Sequence, residues 1–167
     1  MKKFILPILF TLISVGVFAQ TEEEITIEDD VSSEIQAFMT EVEYDVDASV
    51  FSEKEGNTYI NSEKTAGIVA LYLPYNFDVM EEQFLDGSAE GEDETLDKDS
   101  FEVDGVRYMY LKQITLVNEV NATYAVYCKE NDDKSVLMIS GYYENSDKAE
   151  LYDSLIKKAA LSAKVKE

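Results

Sequence analysis

FEVDGVRYMYLKQITLVNEVNATYAVYCKENDDKSVLMISGYY, residues 101–143, decides the fold. Runs rich in Val, Ile, Thr, Tyr and Phe, broken by short polar turns, read as strands. Asp104-Gly105 stands between FEV and VRYMYL. A type I′ turn needs positive φ at both central residues, and Asp-Gly supplies it, so this is a hairpin. Val106–Val117 is one long β-prone run, NEVN (118–121) is a second turn, and TYAVYCK (123–129) is a strand. NDDK is a third turn, and SVLMISGYY (135–143) returns. With Asp132-Asp133 as a two-residue loop, Cys128 stands opposite Leu137 and Val126 opposite Ile139. All four would then share one core-facing patch.

Working upstream, TAGIVALYLP (65–74) ends at Pro74. Ile68, Leu71 and Tyr72 also fit a helix face. A residue before proline is pushed out of the helical region, however, and the run is short and β-branched, which favours a buried strand. DVMEEQFL (78–85) reads as a short helix. ASVFS (48–52) and TYI (58–60) are strand-like pieces around a Gly56 turn. Ile35, Phe38, Met39, Val42 and Val46 recur at helical spacing, and Ser33 with Gln36 has capping-box spacing, so a helix is expected over 32–45. Downstream, Leu151, Tyr152, Leu155, Ile156 and Ala159 form the stripe of a last helix. Asn145 or Ser146 is expected to cap it, and Lys157 and Lys158 suit its C-terminal dipole. The expected class is α+β: an antiparallel meander sheet of about five to six strands packed on an N-terminal and a C-terminal amphipathic helix.

The first nineteen residues are different material. Lys2 and Lys3 precede an apolar run from Phe4 to Phe18, and Val17-Phe18-Ala19 offers a cleavage site before Gln20. The run is shorter than a membrane span requires, and no cysteine follows it to be acylated. The expected organisation is a signal peptide over 1–19, an acidic leader over 20–30, and one domain over 31–167. Export to the periplasm or the extracellular space follows, without membrane insertion after cleavage.

Charge bounds the partners. The 167 residues carry Asp+Glu 35 against Lys+Arg 14, net −21. Phosphate binding needs a basic patch and none is visible, so nucleic acid is a poor partner, and anionic membranes repel the chain. Cations and basic partners are electrostatically allowed, and the partner is expected to be a protein or a small molecule.

Chemistry is bounded by what is missing. There is no histidine, which removes the usual general base and the Ser-His and Cys-His nucleophile pairs. Cys128 is the one cysteine, so no internal disulfide forms, and its apolar setting predicts a buried thiol. Zinc, copper and haem sites are not expected. Ser154-Leu155-Ile156-Lys157 has the spacing of serine acyl-enzymes, but its middle residues are core stripe and its companion motifs are missing. A carboxylate-only hydrolase stays open, since it needs only two acids ~5–9 Å apart across a cleft. Tyr108, Tyr110, Tyr124, Tyr127, Tyr142 and Tyr143 cluster in strands, where cross-strand packing accounts for them first. Asn121-Ala122-Thr123 spells a glycosylation sequon.

DGSAEGEDETLD (86–97) nearly spells a calcium loop. Asp86, Ser88, Glu90, Glu92 (through its carbonyl), Glu94 and Asp97 fall at the ligand positions, and Gly91 falls at the sharp turn. Glu90 is long for its position, and Asp93 replaces the apolar anchor. Asp97 is one methylene short, and a strand rather than a helix follows. The stretch reads first as a hydrated acidic connector, with weak calcium binding as the alternative.

GIVALYLPYNF, a turn-rich insert, TYAVYCKENDDKSVLMISGYY and a final helix ending LSAKV together resemble the PsbP/DcrB/Mog1-like group over about residues 48–165. The resemblance implies an α/β/α-type sandwich with a central antiparallel sheet and a non-enzymatic accessory or binding role. It implies no functional residue, because no residue-level signature matches.

Overall fold

The computed structural model describes residues 40–86, 94–117 and 120–166. In chain order the elements are β1 (Val42–Glu43), β2 (Glu53–Glu55), β3 (Thr58–Ile60), β4 (Ala66–Leu73), α1 (Phe77–Asp86), β5 (Glu94–Val103), β6 (Val106–Val117), β7 (Val120–Glu130), β8 (Val136–Glu144), α2 (Ala149–Ser162) and β9 (Lys164–Val165). Seven strands form one sheet in the order β2-β3-β4-β8-β7-β6-β5, and β1 pairs separately with β9. Every pairing is antiparallel. The α+β class stands, but the sheet is two meanders rather than one. After β4 the chain crosses to the far edge at β5 and winds back, so that β8 closes against β4.

Both sheet faces are covered at the centre. On one, Ile68, Tyr127, Leu137 and Ile139 pack with Tyr152, Ile156 and Ala159 of α2. On the other, Leu71, Met109, Cys128 and Met138 pack with Phe77 and Phe84 of α1. This is the layered sandwich that the resemblance implied. Alternate residues of a strand point to opposite faces, so double-sided burial turns β8 into a continuous buried run, apolar except for Ser140. Val136 to Gly141 are all buried.

Gly141 lets α2 come that close. A Cβ there would lie 2.4 Å from Ile156 Cδ1. Lys129, from β7, donates its ammonium at 2.6 Å to the Ala163 carbonyl just past the end of α2. That carbonyl lies at the helix's negative end, where a cation is favoured.

The hairpins test the sequence reading most sharply. Asp104 (φ 52) and Gly105 (φ 80) make the expected turn, with Val103 opposite Val106. The β7–β8 turn differs from expectation. Cys128 pairs with Met138, Val126 with Ser140, and Tyr127 with Ile139. The loop has one more residue than the two-residue reading: Asp132 to Lys134, with Lys134 left-handed at φ 67. Such loops combine a turn with a bulge. The single-residue shift moves Leu137 and Ile139 to the α2 face, while Val126 and Cys128 stay on the α1 face.

Other expectations shift in smaller ways. β4 is the buried strand and α1 the short helix that the sequence predicts. Asn76 caps α1: its Oδ1 accepts the Asp78 and Val79 amides at 2.9 and 3.3 Å. ASVFS is not a strand. Asp47 accepts the Val50 and Phe51 amides through its carbonyl and the Ser49 amide through its side chain, closing a turn that inserts Phe51 into the core. The strand comes later, at β2. The expected helix over 32–45 fails at its described end, since Val42–Glu43 is a strand paired with β9. A long-range partner overrides the local spacing there, and residues 32–39 lie outside the described residues. Val120 and Asn121, expected in a turn, begin β7. Leu151, expected in the stripe of α2, is 46% exposed, and Ala160 is buried instead. No side chain caps α2. Ser146 accepts the Ala149 amide through its carbonyl and the Lys148 amide through its hydroxyl. Among the described residues no helix is long and apolar enough to cross a membrane.

Gly141→Ala is expected to lower stability by about 1–3 kcal/mol, the usual cost of overpacking a filled contact. Urea unfolding followed by far-UV circular dichroism checks this, and an unchanged midpoint would mean that α2 does not seat on Gly141.

Candidate functional site

A cleft of about 660 Å³ opens between the β1–β9 ribbon and the β2–β3 hairpin. Ligand clefts commonly span roughly 300–1,000 Å³. Its construction begins at the hairpin turn. Gly56 takes the left-handed conformation (φ 56), and Asn57 follows it. Asn57 Oδ1 accepts the Val42 amide at 3.1 Å, and its Nδ2 donates to the Thr40 carbonyl at 2.8 Å. One side chain thus supplies both hydrogen bonds that a neighbouring strand would give to the outer edge of β1. The Tyr44 hydroxyl donates to the Asn57 carbonyl, and burial raises the pKa of that phenol well above its usual value. Tyr44 meets Tyr59 edge-on, with ring centroids 5.4 Å apart.

The ribbon wall carries a ladder of opposite charges. Lys166 pairs with Glu41, and Lys164 Nζ lies 3.4 Å from Glu43. Asp45, whose amide is held by the Ser162 hydroxyl at 2.8 Å, lies 3.8 Å from Lys158. On the opposite wall the Lys54 ammonium sits 5.1 Å from the centre of the Tyr59 ring. Glu41 is held below the usual carboxylate range by its hydrogen bond to Lys166 and that lysine's charge, with a smaller contribution from Lys54. The cleft therefore combines three lysines, three acids and two tyrosines across two walls that Asn57 and Tyr44 join.

A second polar centre fixes the scaffold at the opposite sheet edge. Arg107, the one arginine of the chain, forks onto Glu130 at 2.8 and 2.9 Å. It also reaches Asp78 at 2.6 Å and lies 4.7 Å from the centre of the Phe77 ring. Planar bidentate pairing is the geometry at which arginine exceeds lysine. Glu130, only 11% exposed at its side chain, receives Lys134 as well. The Arg107 and Lys134 hydrogen bonds hold its carboxyl down at about 2. This cluster locks α1 to β6 and β7.

Asp86 ends α1, and Glu94 begins β5. Asp97 lies within β5, just after a register shift, and its Oδ2 accepts the Tyr110 hydroxyl at 2.6 Å. Ser88, Glu90, Gly91 and Glu92 lie outside the described residues. Among the described residues no three of His, Cys, Asp or Glu stand close enough to share a metal ion. Cys128 is fully buried, and burial pushes its thiol up to about 12. A thiolate is therefore not accessible near neutrality. Ser154 and Lys157 lie on the exposed side of α2, with Lys157 5.4 Å from the Phe101 ring centre. The strand tyrosines divide by face. Tyr110 and Tyr127 stack under α2 with centroids 5.7 Å apart, whereas Tyr124 and Tyr142 meet on the other side at 6.1 Å.

No residue of the cleft or of the Arg107 cluster is marked by a sequence motif. The one available signal was compositional: lysines 164 and 166 alternate along the tail, and Glu41, Glu43 and Asp45 alternate along the segment it pairs with.

No protein-family model matches the chain, and no curated protein matches it. Among solved structures it is similar to the Ran-binding protein Mog1p of Saccharomyces cerevisiae. The TM-score is 0.40 at 14% identity, over 72% of this chain and 85% of that one. It is similar also to the cyanobacterial PsbP protein (CyanoP) of Synechocystis, with a TM-score of 0.42 at 11% identity, over 77% and 94% of the two chains. The names Mog1 and PsbP are those of the group that the sequence resembles.

Two outcomes follow. Asn57→Ala leaves the Val42 amide and the Thr40 carbonyl without their partners and is expected to cost about 1–3 kcal/mol. Amide exchange at Val42 should quicken first; unchanged protection there would remove Asn57 from this role. Glu130 has a depressed folded-state pKa, so its contribution is present above the ordinary carboxylate value near 4.5 and is lost as pH falls towards about 2. With Arg107 one-third exposed and screened by water, about 1–2 kcal/mol is expected to vanish across that window. Thermal melts from pH 6 to pH 2 should show a steeper decline for the parent than for Glu130→Gln.

Proposed function

We propose that this chain is an exported small domain that acts by binding, and that the cleft between the β1–β9 ribbon and the β2–β3 hairpin is its recognition site. The observation that carries the reading is the cleft itself. It has ligand-sized volume, walls bearing both charge signs, and two tyrosines locked through Asn57. Preorganised polar groups lose little freedom when a partner arrives, which favours recognition. A chain at net −21 repels acidic surroundings at long range, whereas the cleft is locally balanced.

The absence of histidine and the burial of the sole thiol support a non-catalytic role. The basic, then apolar, N-terminal segment ending in Val17-Phe18-Ala19 supports export, with Gln20 as the new first residue. Intact mass of the protein recovered from its native compartment is expected to correspond to a chain starting at Gln20. A mass retaining the first nineteen residues would refute export by cleavage.

A photo-crosslinking residue at Glu43, exposed on the ribbon wall of the cleft, is expected to capture a partner, whereas one at Leu151, on the exposed side of α2, is not. The reverse pattern would move the site to α2. Turnover on ester, phosphate or glycoside panels that disappears with one carboxylate substitution would replace binding with catalysis.

A further inference from the structure

The sheet face that carries α1 extends beyond the core packed under that helix. Directly paired residues share a face, so the strand register lays it out in rows. One row is Val69, Ser140, Val126 and Leu111. The next, on the side away from Arg107, is Gly67, Tyr142, Tyr124 and Gln113. The cluster under α1 includes Leu111 and Val126 of the first row and no residue of the second. Ala122, one row further, is buried yet belongs to neither core cluster. No side chain in the two rows is charged, in a chain with Asp+Glu 35 and Lys+Arg 14. A contiguous uncharged patch of this kind marks a contact surface. Its second row is flat: Tyr142 lies against Gly67, where a Cβ would stand 2.7 Å from Cε1, and Tyr124 meets Tyr142 at 6.1 Å.

We infer that these two rows are the docking surface of the chain's own segment 31–39. The place where that segment joins the fold is the first argument. Thr40, the first described residue, has its carbonyl held by Asn57 at 2.8 Å, and the Asn57 carbonyl accepts the Ala70 amide at 3.1 Å. Thr58, next in the chain, faces Val69. Residue 39 therefore starts from the outer edge of β4, beside the near end of the rows. Composition is the second argument. Val31, Ile35, Phe38 and Met39 recur at the spacing of one helix face, with Ser32, Ser33, Glu34 and Gln36 between them. Length is the third. Nine helical residues span about 13 Å, and the three strand spacings from β4 to β6 span about 14 Å. A second copy is a poorer occupant, because two chains at net −21 repel each other. A foreign peptide would compete with a tethered one, present at an effective concentration of about millimolar.

The test is nuclear Overhauser spectroscopy of the full exported chain, labelled with ¹³C and ¹⁵N. Cross-peaks are expected between the Phe38 ring and the Val69 methyls, and between the Ile35 methyls and the Tyr142 and Tyr124 rings. Replacing Ile35 and Phe38 together by Ser should remove them and shift the Val69 and Tyr142 resonances, while circular dichroism keeps its β signal. Gln36→Ser, on the polar side of the same segment, should leave all of them in place. The parent spectrum decides by itself if the double variant does not fold. Cross-peaks from Phe38 and Ile35 only to α2 or to the cleft, or no cross-peak to the two rows, would overturn the inference. So would cross-peaks that run between labelled and unlabelled copies in a mixed sample, which would make a second chain the occupant. Val69 and Tyr142 resonances unmoved by the double substitution would overturn it as well.

Discussion

The register of the β7–β8 hairpin is the constraint on which the rest depends. It is set by Asn131, whose amide donates to the Ser135 carbonyl and whose carbonyl accepts the Lys134 amide, both at 2.9 Å. β8 is buried on both faces, so a slip of one residue would exchange its two sets of side chains between two different helices. Leu137 and Ile139 would leave α2, and Met138 would leave α1. The same loop seats α1 directly, because the Lys134 carbonyl accepts the Phe77 amide at 2.9 Å. The Tyr72 hydroxyl, from the end of β4, reaches Asp133 at 3.1 Å. One short turn thus aligns the central strand pair, the start of a helix and the neighbouring strand.

Much of this was legible in the sequence because its causes are local. Asp104-Gly105 makes its turn for reasons contained in two residues, and Pro74 tells against a helix over 65–73 whatever lies elsewhere. The ladder from Val106 to Glu144 follows from β-branched and aromatic runs with little competition from helix. The β7–β8 register was not legible, since NDDK fits a loop of two residues or of three, and the choice depends on whether Lys134 tolerates a left-handed backbone beside Glu130. The swap of helix for strand at Val42 was not legible either, because its cause lies at Lys164–Val165, at the other end of the chain. The cleft stayed hidden for the same reason: its walls meet only once that distant pairing has formed. The residues of the acidic stretch 86–97 that the structure describes lie at a helix end and in a strand. No fixed spacing of carboxylates could reveal that without the sheet to place β5.

Cations are scarce in this chain, Lys+Arg 14 against Asp+Glu 35. The one arginine sits where a planar fork can satisfy several acids at once, over an aromatic ring and against Glu130. Lysine, a rotatable point charge, is used instead at the end of α2 and along the ribbon. Lys129 neutralises a helix terminus from the neighbouring strand, and Lys158, Lys164 and Lys166 face acids across the ribbon. The sheet edge at β5 is treated differently. Asp99 turns its carboxylate onto the adjacent Ser100 amide at 2.8 Å, occupying a donor that an incoming strand would otherwise use. Acidic side chains on an edge strand discourage pairing with further copies.

The pairing of β1 with β9 also has a mechanical meaning. Glu41 and Lys166 are joined by a backbone hydrogen bond at 2.9 Å, so the two ends of the described fold lie at the same corner. A pull applied across those ends would load the ribbon like a zipper, opening one bond at a time, and would reach the seven-stranded sheet only after the ribbon had parted. The fold would give way first at the cleft, under small forces, with its core still closed. Tension across those two ends would therefore act on the cleft wall before it acted on anything else.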